Sequence, residues 1–150
     1  MTPPIRCRTV THKLHDIISC VKGVAALEMA IIAPILIALI LGVIIYSIYF
    51  TAVIGVRQAA SEGARAAVAG LSTAERTSLA IARATQVLTS YGPLTGGSTP
   101  TVTAAPDGTG TFKVTVSYNL KNAAIMRYNG FVPLPNETIQ ASVVVTNGGY

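Results

Sequence analysis

The pattern of hydrophobic and polar residues changes twice along this chain. The first pattern is an unbroken apolar run. No charged residue occurs from Met29 to Val56, a stretch of 28 positions rich in Ile, Leu, Val and Ala. About 20 apolar residues suffice for a helix to cross the hydrocarbon core of a bilayer, so this run predicts a membrane-spanning helix. The apolar core of a cleaved secretory signal has only about 7–15 residues. A secreted soluble factor that loses the whole span is therefore the less favoured alternative.

The helical pattern continues beyond the apolar run through the alanine-rich stretch IYFTAVIGVRQAASEGARAAVAG, where helix propensity stays high. We predict one helix over residues 24–70. A helix over residues 25–70 would be about 69 Å long, and only about 30 Å of it fits inside a bilayer. Its distal half must therefore stand outside the membrane and pack against other elements.

A row of small residues lies on the distal half of this helix, at intervals of four: Gly55, Ala59, Gly63 and Ala67. This spacing places them on one ridge, where another backbone can approach closely. Two interpretations remain open: a packing seam with other subunits, or a face that lies under the protein's own sheet. On the same stretch, Glu62 and Arg65 are predicted to form a solvated surface pair.

A second helix is predicted over residues 71–92. Ser72 and Glu75 have the spacing of a capping box, in which both side chains bind free backbone amides. Gly92 and Pro93 are predicted to end this helix, because proline cannot continue it.

The period then falls from 3.6 to 2, which is typical of half-buried strands. In TFKVTVSYNL (111–120) one face carries Phe112, Val114, Val116, Tyr118 and Leu120. PTVTAA before it predicts a hairpin with Pro106, Asp107 and Gly108 in the turn, and ETIQASVVVTN predicts a third strand. The fold class predicted is α+β: a long N-terminal transmembrane helix continuing outside, a second helix, and a small antiparallel meander of about three strands in residues 93–150.

The last two predicted strands are joined by the apolar connection KNAAIMRYNGFVPLPN (121–136). Two interpretations are open for its large apolar side chains: they fill the core of the outer domain, or they rest on the lipid surface. The residues concerned are Ile125, Met126, Phe131, Val132 and Leu134.

Charge is distributed unevenly and predicts the orientation of the span. Residues 1–23 contain four basic residues and one acidic residue, a net charge of +3, which leaves +2 of the total +5 for residues 24–150. Positive residues beside a span stay on the cytoplasmic side. Residues 1–23 are therefore predicted to be a basic cytoplasmic leader, with the C-terminal domain outside the cytoplasm. The positive charge is a topology signal and does not indicate a nucleic-acid partner.

Catalysis is not predicted. His12 and His15 both lie in the leader, and no pairing of the acidic residues after Glu28 suggests acid–base chemistry. Cys7 and Cys20 also lie in the leader, where thiols stay reduced, and two cysteines at this spacing with no nearby ligand cluster make a poor metal site. The sequence assigns these two cysteines no role, and no metal or other cofactor is expected.

Glu28 is the one charge at the start of the apolar run, five residues after Gly23 in the stretch KGVAALEMA. A basic leader, a glycine, a glutamate five residues later and a long apolar helix together resemble a type IV prepilin processing site. Further residues resemble the TadE-like pseudopilins of the tight-adherence (Flp-type) pilus machinery. They are Glu28-Met29-Ala30, with Met29 where the family has Phe or Tyr, then Pro34, and Gly63-Ala64-Arg65. The resemblance covers about residues 22–70.

The resemblance implies a structural minor pilin or pseudopilin of pilus assembly. A prepilin peptidase would cut between Gly23 and Val24, and Glu28 would pair with the new N-terminal amine of a neighbouring subunit and set subunit register. An unpaired Glu28, protonated or reaching the headgroups, remains the alternative. Pro34 is predicted to kink the helix.

The partners implied are the peptidase, other pilin and pseudopilin subunits, the assembly platform of the bacterial inner membrane, and membrane lipid. The chain would be a single-pass inner-membrane protein with its C-terminal domain in the periplasm, and it would enter the pilus once assembled. The alternative function is an uncleaved single-span assembly factor with an extracytoplasmic binding domain.

Overall fold

The computed structural model of the chain describes residues 21–96, 98–128, 130, 133 and 136–146. Within them, helix α1 (Val21–Val68) is followed by helix α2 (Thr73–Thr95) and strands β1 (Thr101–Pro106) and β2 (Thr111–Asn119). A short 3-10 helix (Ala124–Tyr128) then precedes strand β3 (Thr138–Thr146). The α+β fold class, with a long apolar helix, a second helix and three antiparallel strands, is confirmed. The cysteines, histidines and most charges of the leader lie outside the described residues.

The chain divides into two compact units, residues 1–41 and residues 42–150. In the first unit the described residues all belong to α1, and their large apolar side chains are exposed, as at Leu27 and Ile35. Such a surface suits lipid rather than water. Among the described residues, α1 is the one helix long and apolar enough to cross a membrane.

The second unit is a two-helix layer on a three-stranded sheet. Burial on α1 begins at Ile45 and recurs every three or four residues, which is the spacing of one helical face. The opposing β2 buries alternate residues, as the period-2 pattern predicts. The core consists of these two faces together with part of α2 and of the segment after β2; its most completely buried large side chains are Val56, Phe112, Val114, Val116 and Leu120.

The sheet is an antiparallel meander in the order β1–β2–β3. Val116 of β2 pairs with Val102 of β1 on one side and with Ala141 of β3 on the other. The β1–β2 turn needs left-handed backbone at Gly108 and Gly110, with φ of 87° and 72°. The predicted turn at Pro106, Asp107 and Gly108 therefore matches the structure, although Pro106 still belongs to β1.

The second helix has the predicted capping residues, but it begins at Thr73 rather than at residue 71 and ends later than predicted. Ser72 is its N-cap and its hydroxyl accepts the Glu75 amide, while the Glu75 carboxylate accepts the amide of Leu71 rather than that of Ser72. The helix continues to Thr95, three residues beyond the predicted end at Gly92. Gly96 terminates it with φ of 62° and donates its N–H to the carbonyl of Gly92. The left-handed residue that stops the helix is thus the second of two glycines.

Candidate functional site

The Gly23–Val24 bond lies in α1, close to its first described residue, Val21. The Val24 side chain is about half exposed, and no acidic residue occupies the first turn. Cleavage between Gly23 and Val24 stays a prediction.

Glu28 lies one turn further along α1 and is exposed. Its helical neighbours at intervals of three and four are Val24, Ala25, Ile31 and Ile32, so the carboxylate is surrounded by an apolar surface. It forms no ion pair with any described residue of the chain. A carboxylate in such surroundings is costly in lipid until a cation is supplied. The pairing of Glu28 with an N-terminal amine stays a prediction.

Pro34 lies inside α1 and is exposed. Proline cannot donate the backbone hydrogen bond to the carbonyl four residues earlier, which belongs to Ala30. The helix assignment is continuous through this position. A functional kink at Pro34 stays a prediction.

The row of small residues on α1 lies inside the second unit. Ala59 and Ala67 are buried, at 0% and 1% exposure. A Cβ built on Gly55 would come 2.9 Å from Cγ of Tyr91, and one built on Gly63 would come 2.9 Å from the carbonyl oxygen of Ala80. In the structure, the elements that pack against this row are α2 and the sheet of the same chain.

The Glu62 carboxylate has a partner that the sequence did not indicate. It lies 3.8 Å from Arg65 on its own helix, as predicted, and 3.3 Å from Arg83 of α2. Arg83 also donates to the side chain of Gln86. Residues 62 and 83 lie on different helices, so spacing along the chain gives no signal for this pair. Glu62 therefore joins the two helices near Gly63.

Three aromatic residues cluster where the folded unit begins on α1. The ring centroids of Tyr46 and Phe50 are 6.1 Å apart, and those of Tyr49 and Phe50 are 6.0 Å apart. The Tyr46 hydroxyl donates to the backbone carbonyl of Pro133, 2.6 Å away. Part of the apolar connection between β2 and β3 is thereby held beside α1.

The apolar connection itself is partly a core element. Ile125 is buried and Met126 packs against the core, as one of the two interpretations predicted. Phe131, Val132 and Leu134 lie outside the described residues. The two interpretations therefore remain open for that half of the connection.

The described residues contain no cluster of three or more His, Cys, Asp or Glu side chains that could hold a metal ion. A shallow depression on the outer face of β1 and β2 is lined by threonines and by the ion pair between Lys113 and Asp107, whose atoms are 3.7 Å apart. It brings together neither a nucleophile with a base nor a set of phosphate-binding amides.

Residues 23–65 match the family model described as TadE-like protein. The match begins at Gly23 and ends at Arg65, so it includes Glu28, Pro34 and most of α1. It confirms the predicted resemblance to TadE-like proteins over this segment. No significant match was found among curated proteins or among solved structures.

Proposed function

We propose that this chain is a minor pilin or pseudopilin. Residues 23–65 match the TadE-like family model, which suggests a role in assembly related to tight-adherence pili. In this proposal a prepilin peptidase cuts after Gly23. The mature chain, starting at Val24, is extracted from the inner membrane into the pilus or its base. The observation that carries the proposal is the coincidence of the start of the family match with a glycine five residues before Glu28.

The chemistry of the proposal is electrostatic and structural. Cleavage creates an α-amino cation at Val24, on the same apolar helix as Glu28. Two unit charges about 4 Å apart attract by about 4 kcal/mol at an effective dielectric constant near 20. This is similar to the cost of about 2.5–3.5 kcal/mol for a charged residue at the centre of a membrane helix. Pairing between Glu28 of one subunit and the amine of the next would offset that cost and fix their stagger.

The presence of a folded second unit favours the role of an accessory subunit, which would contact other proteins through this unit. After the matched segment it contains α2, a short 3-10 helix and a three-stranded sheet. The proposed role of this unit is to contact other subunits and the assembly platform. In the proposed orientation the basic leader stays in the cytoplasm and this unit is periplasmic.

The second candidate function is an uncleaved, membrane-anchored assembly factor. Met29, which stands where the family has an aromatic residue next to the glutamate, favours it. The two functions differ in whether the chain enters a filament. We expect the chain to co-purify with pili sheared from cells and washed free of membrane, and Gly23→Val to abolish this. A chain that stays with the membrane fraction, while pili of normal composition are sheared off, would support the anchored factor instead.

A further inference from the structure

Strand β3 is hydrogen-bonded along one side only, because it lies at the edge of the sheet. The amide of Leu120 donates to the carbonyl of Glu137 just before the strand. Residues that exchange hydrogen bonds alternate along an antiparallel ladder with residues that do not. Because Tyr118 lies opposite Ile139, the odd-numbered residues of β3 bond to β2, and the backbone groups of the even-numbered residues point away from it. The even-numbered residues are Thr138, Gln140, Ser142, Val144 and Thr146.

This outer side of β3 is open. Within the part of the chain that the structure describes, no group is hydrogen-bonded to the outward backbone N–H and C=O groups of β3. Such a row of unpaired groups is a template on which another strand can form.

The opposite edge of the sheet, at β1, is blocked. The amide of Asp107 donates to the carbonyl of Thr111, so by the same alternation Ala104 and Pro106 point their backbone groups away from β2. The Ala104 carbonyl accepts a hydrogen bond of 3.3 Å from the hydroxyl of Thr77 in α2. Pro106 has no N–H to donate. A further strand can therefore join the described sheet at β3 but not at β1.

The composition of β3 lacks the features that usually protect an edge. Edge strands are commonly short or carry charged residues or proline. This strand has nine residues, TIQASVVVT, with no charged residue and no proline. On its helix-facing side Ala141, Val143 and Val145 are only half-buried, although they pack against the core. A neighbouring strand would cover these apolar side chains further.

The sequence of β3 is complementary to itself. An antiparallel copy centred on Ser142 pairs all nine residues and sets outward-pointing residues opposite one another, as the ladder requires. The outward pairs are Ser142 with itself, Gln140 with Val144, and Thr138 with Thr146. The helix-facing pairs are Ile139 with Val145 and Ala141 with Val143. Apolar side chains therefore meet apolar ones on that face, and no like charges meet on either face.

We propose that the outer edge of residues 138–146 is a self-pairing edge, which binds β3 of a second copy of this chain in antiparallel register and joins the two three-stranded sheets into one. The two-fold axis passes beside Ser142. Because β1 is blocked, the assembly closes as a dimer and does not grow into a fibre. The self-pairing edge lies wholly within the second unit, and it does not depend on the cut after Gly23.

A charge placed at Ser142 tests both the partner and the register. In two identical copies, Ser142→Lys or Ser142→Glu sets like charges directly opposite each other, which is destabilising, whereas a mixed pair sets opposite charges together. Ser142 is exposed and its backbone groups do not bond to β2, so the sheet of each copy does not need this side chain. Two differently tagged full-length copies would be co-expressed, extracted in detergent at low salt and purified through one tag, and recovery of the other tag would be measured. Thr103→Lys and Thr103→Glu, on the exposed face of β1, are the matched controls.

The expected result is co-purification of the unaltered copies and of every combination at position 103. At position 142 we expect loss of co-purification for the Lys–Lys and Glu–Glu pairs and its recovery for the Lys–Glu pair, which a misfolded variant could not give. Unaltered copies that do not co-purify would overturn the proposal. Equal recovery for all combinations at position 142 would place the contact elsewhere and overturn it as well. Loss in the Lys–Glu pair too would refute the register centred on Ser142.

Discussion

Gly63 of α1 lies so close to Ala80 of α2 that a Cβ at position 63 would come 2.9 Å from the Ala80 carbonyl oxygen and 3.0 Å from Cβ of Ala84. The atom it would meet first belongs to the backbone of a helix, which cannot swing away as a long side chain can. The two helices of the second unit therefore approach each other closely where α1 has no side chain. Strand β2 also lies against this position, since the same Cβ would come 3.4 Å from Cγ1 of Val114.

We expect Gly63→Ala to destabilise the second unit, residues 42–150, by about 1 kcal/mol. Overpacking a close contact costs about 1–3 kcal/mol, and this exceeds the gain of about 1 kcal/mol from replacing glycine in a helix. The matched control is Gly92→Ala in α2, where a Cβ would meet nothing within 4 Å. Thermal unfolding of the full chain in detergent should show a lower Tm for Gly63→Ala and an unchanged or higher Tm for Gly92→Ala. Equal stabilisation by both would contradict the close approach of the helices.

The ion pair between Glu62 and Arg83 joins the same two helices but should contribute little. The side chains are 29% and 46% exposed, and exposed pairs contribute about 0.2–1 kcal/mol. Glu62→Gln should therefore lower the free energy of unfolding by less than about 1 kcal/mol, and the difference should shrink in 1 M salt, where the Debye length is about 3 Å. Arg65→Ala is the control, because Arg65 is 78% exposed and 3.8 Å from Glu62, and it should have the smaller effect. A large loss that does not depend on salt would show that Glu62 is held by something other than these charges.

Ser72 is the N-cap of α2, and its loss should weaken the start of that helix. Ser72→Ala removes the acceptor for the Glu75 amide, which lies 3.2 Å from the hydroxyl, and such changes cost about 1 kcal/mol. Ser78→Ala is a suitable comparison, because Ser78 lies inside the same helix and its hydroxyl donates to the carbonyl of Glu75. Chemical unfolding of the full chain should separate the two variants by about 1 kcal/mol. If they were equally stable, the hydroxyl of Ser72 would not be acting as a cap.

The sequence predicted those elements whose pattern is local. The alternation in β2 and the capping residues of α2 are signals within a few residues, and both agree with the structure. The end of α2 was misplaced because Pro93 was expected to stop the helix, whereas the helix continues through Pro93 to Thr95 and ends at the left-handed Gly96. The partner of Glu62 and the elements that cover Gly55 and Gly63 depend on how distant segments meet, which periodicity does not record.

The proposed roles of the site residues rest on motif rather than on contacts within one chain. Glu28 forms no ion pair with any described residue of the chain, so its proposed pairing rests on the sequence motif alone. For this reason the sequence motif is more informative about Glu28 than the structure of a single subunit.

Glu28→Gln should separate processing from assembly. The amide keeps the shape of the side chain and removes its charge, so the attraction to an N-terminal amine, about 4 kcal/mol at 4 Å and a dielectric constant near 20, is lost. We expect the variant to be cut after Gly23 as before and to fall below detection in sheared pili. Glu62→Gln removes a charge from the outer part of the same helix and should remain in the pili. Normal incorporation of Glu28→Gln would refute the role of Glu28 in subunit register.

The central claim is the cut after Gly23, and the intact mass of the membrane-extracted chain tests it most directly. The chain would be expressed with and without its prepilin peptidase, as the unaltered sequence, as Gly23→Val, and as Gly42→Ala, a glycine of the same helix with open space around it. We predict that the unaltered chain and Gly42→Ala lose residues 1–23 only when the peptidase is present, while Gly23→Val keeps its full mass. A full-length mass for the unaltered chain under both conditions would contradict the account and leave a membrane-anchored assembly factor in its place.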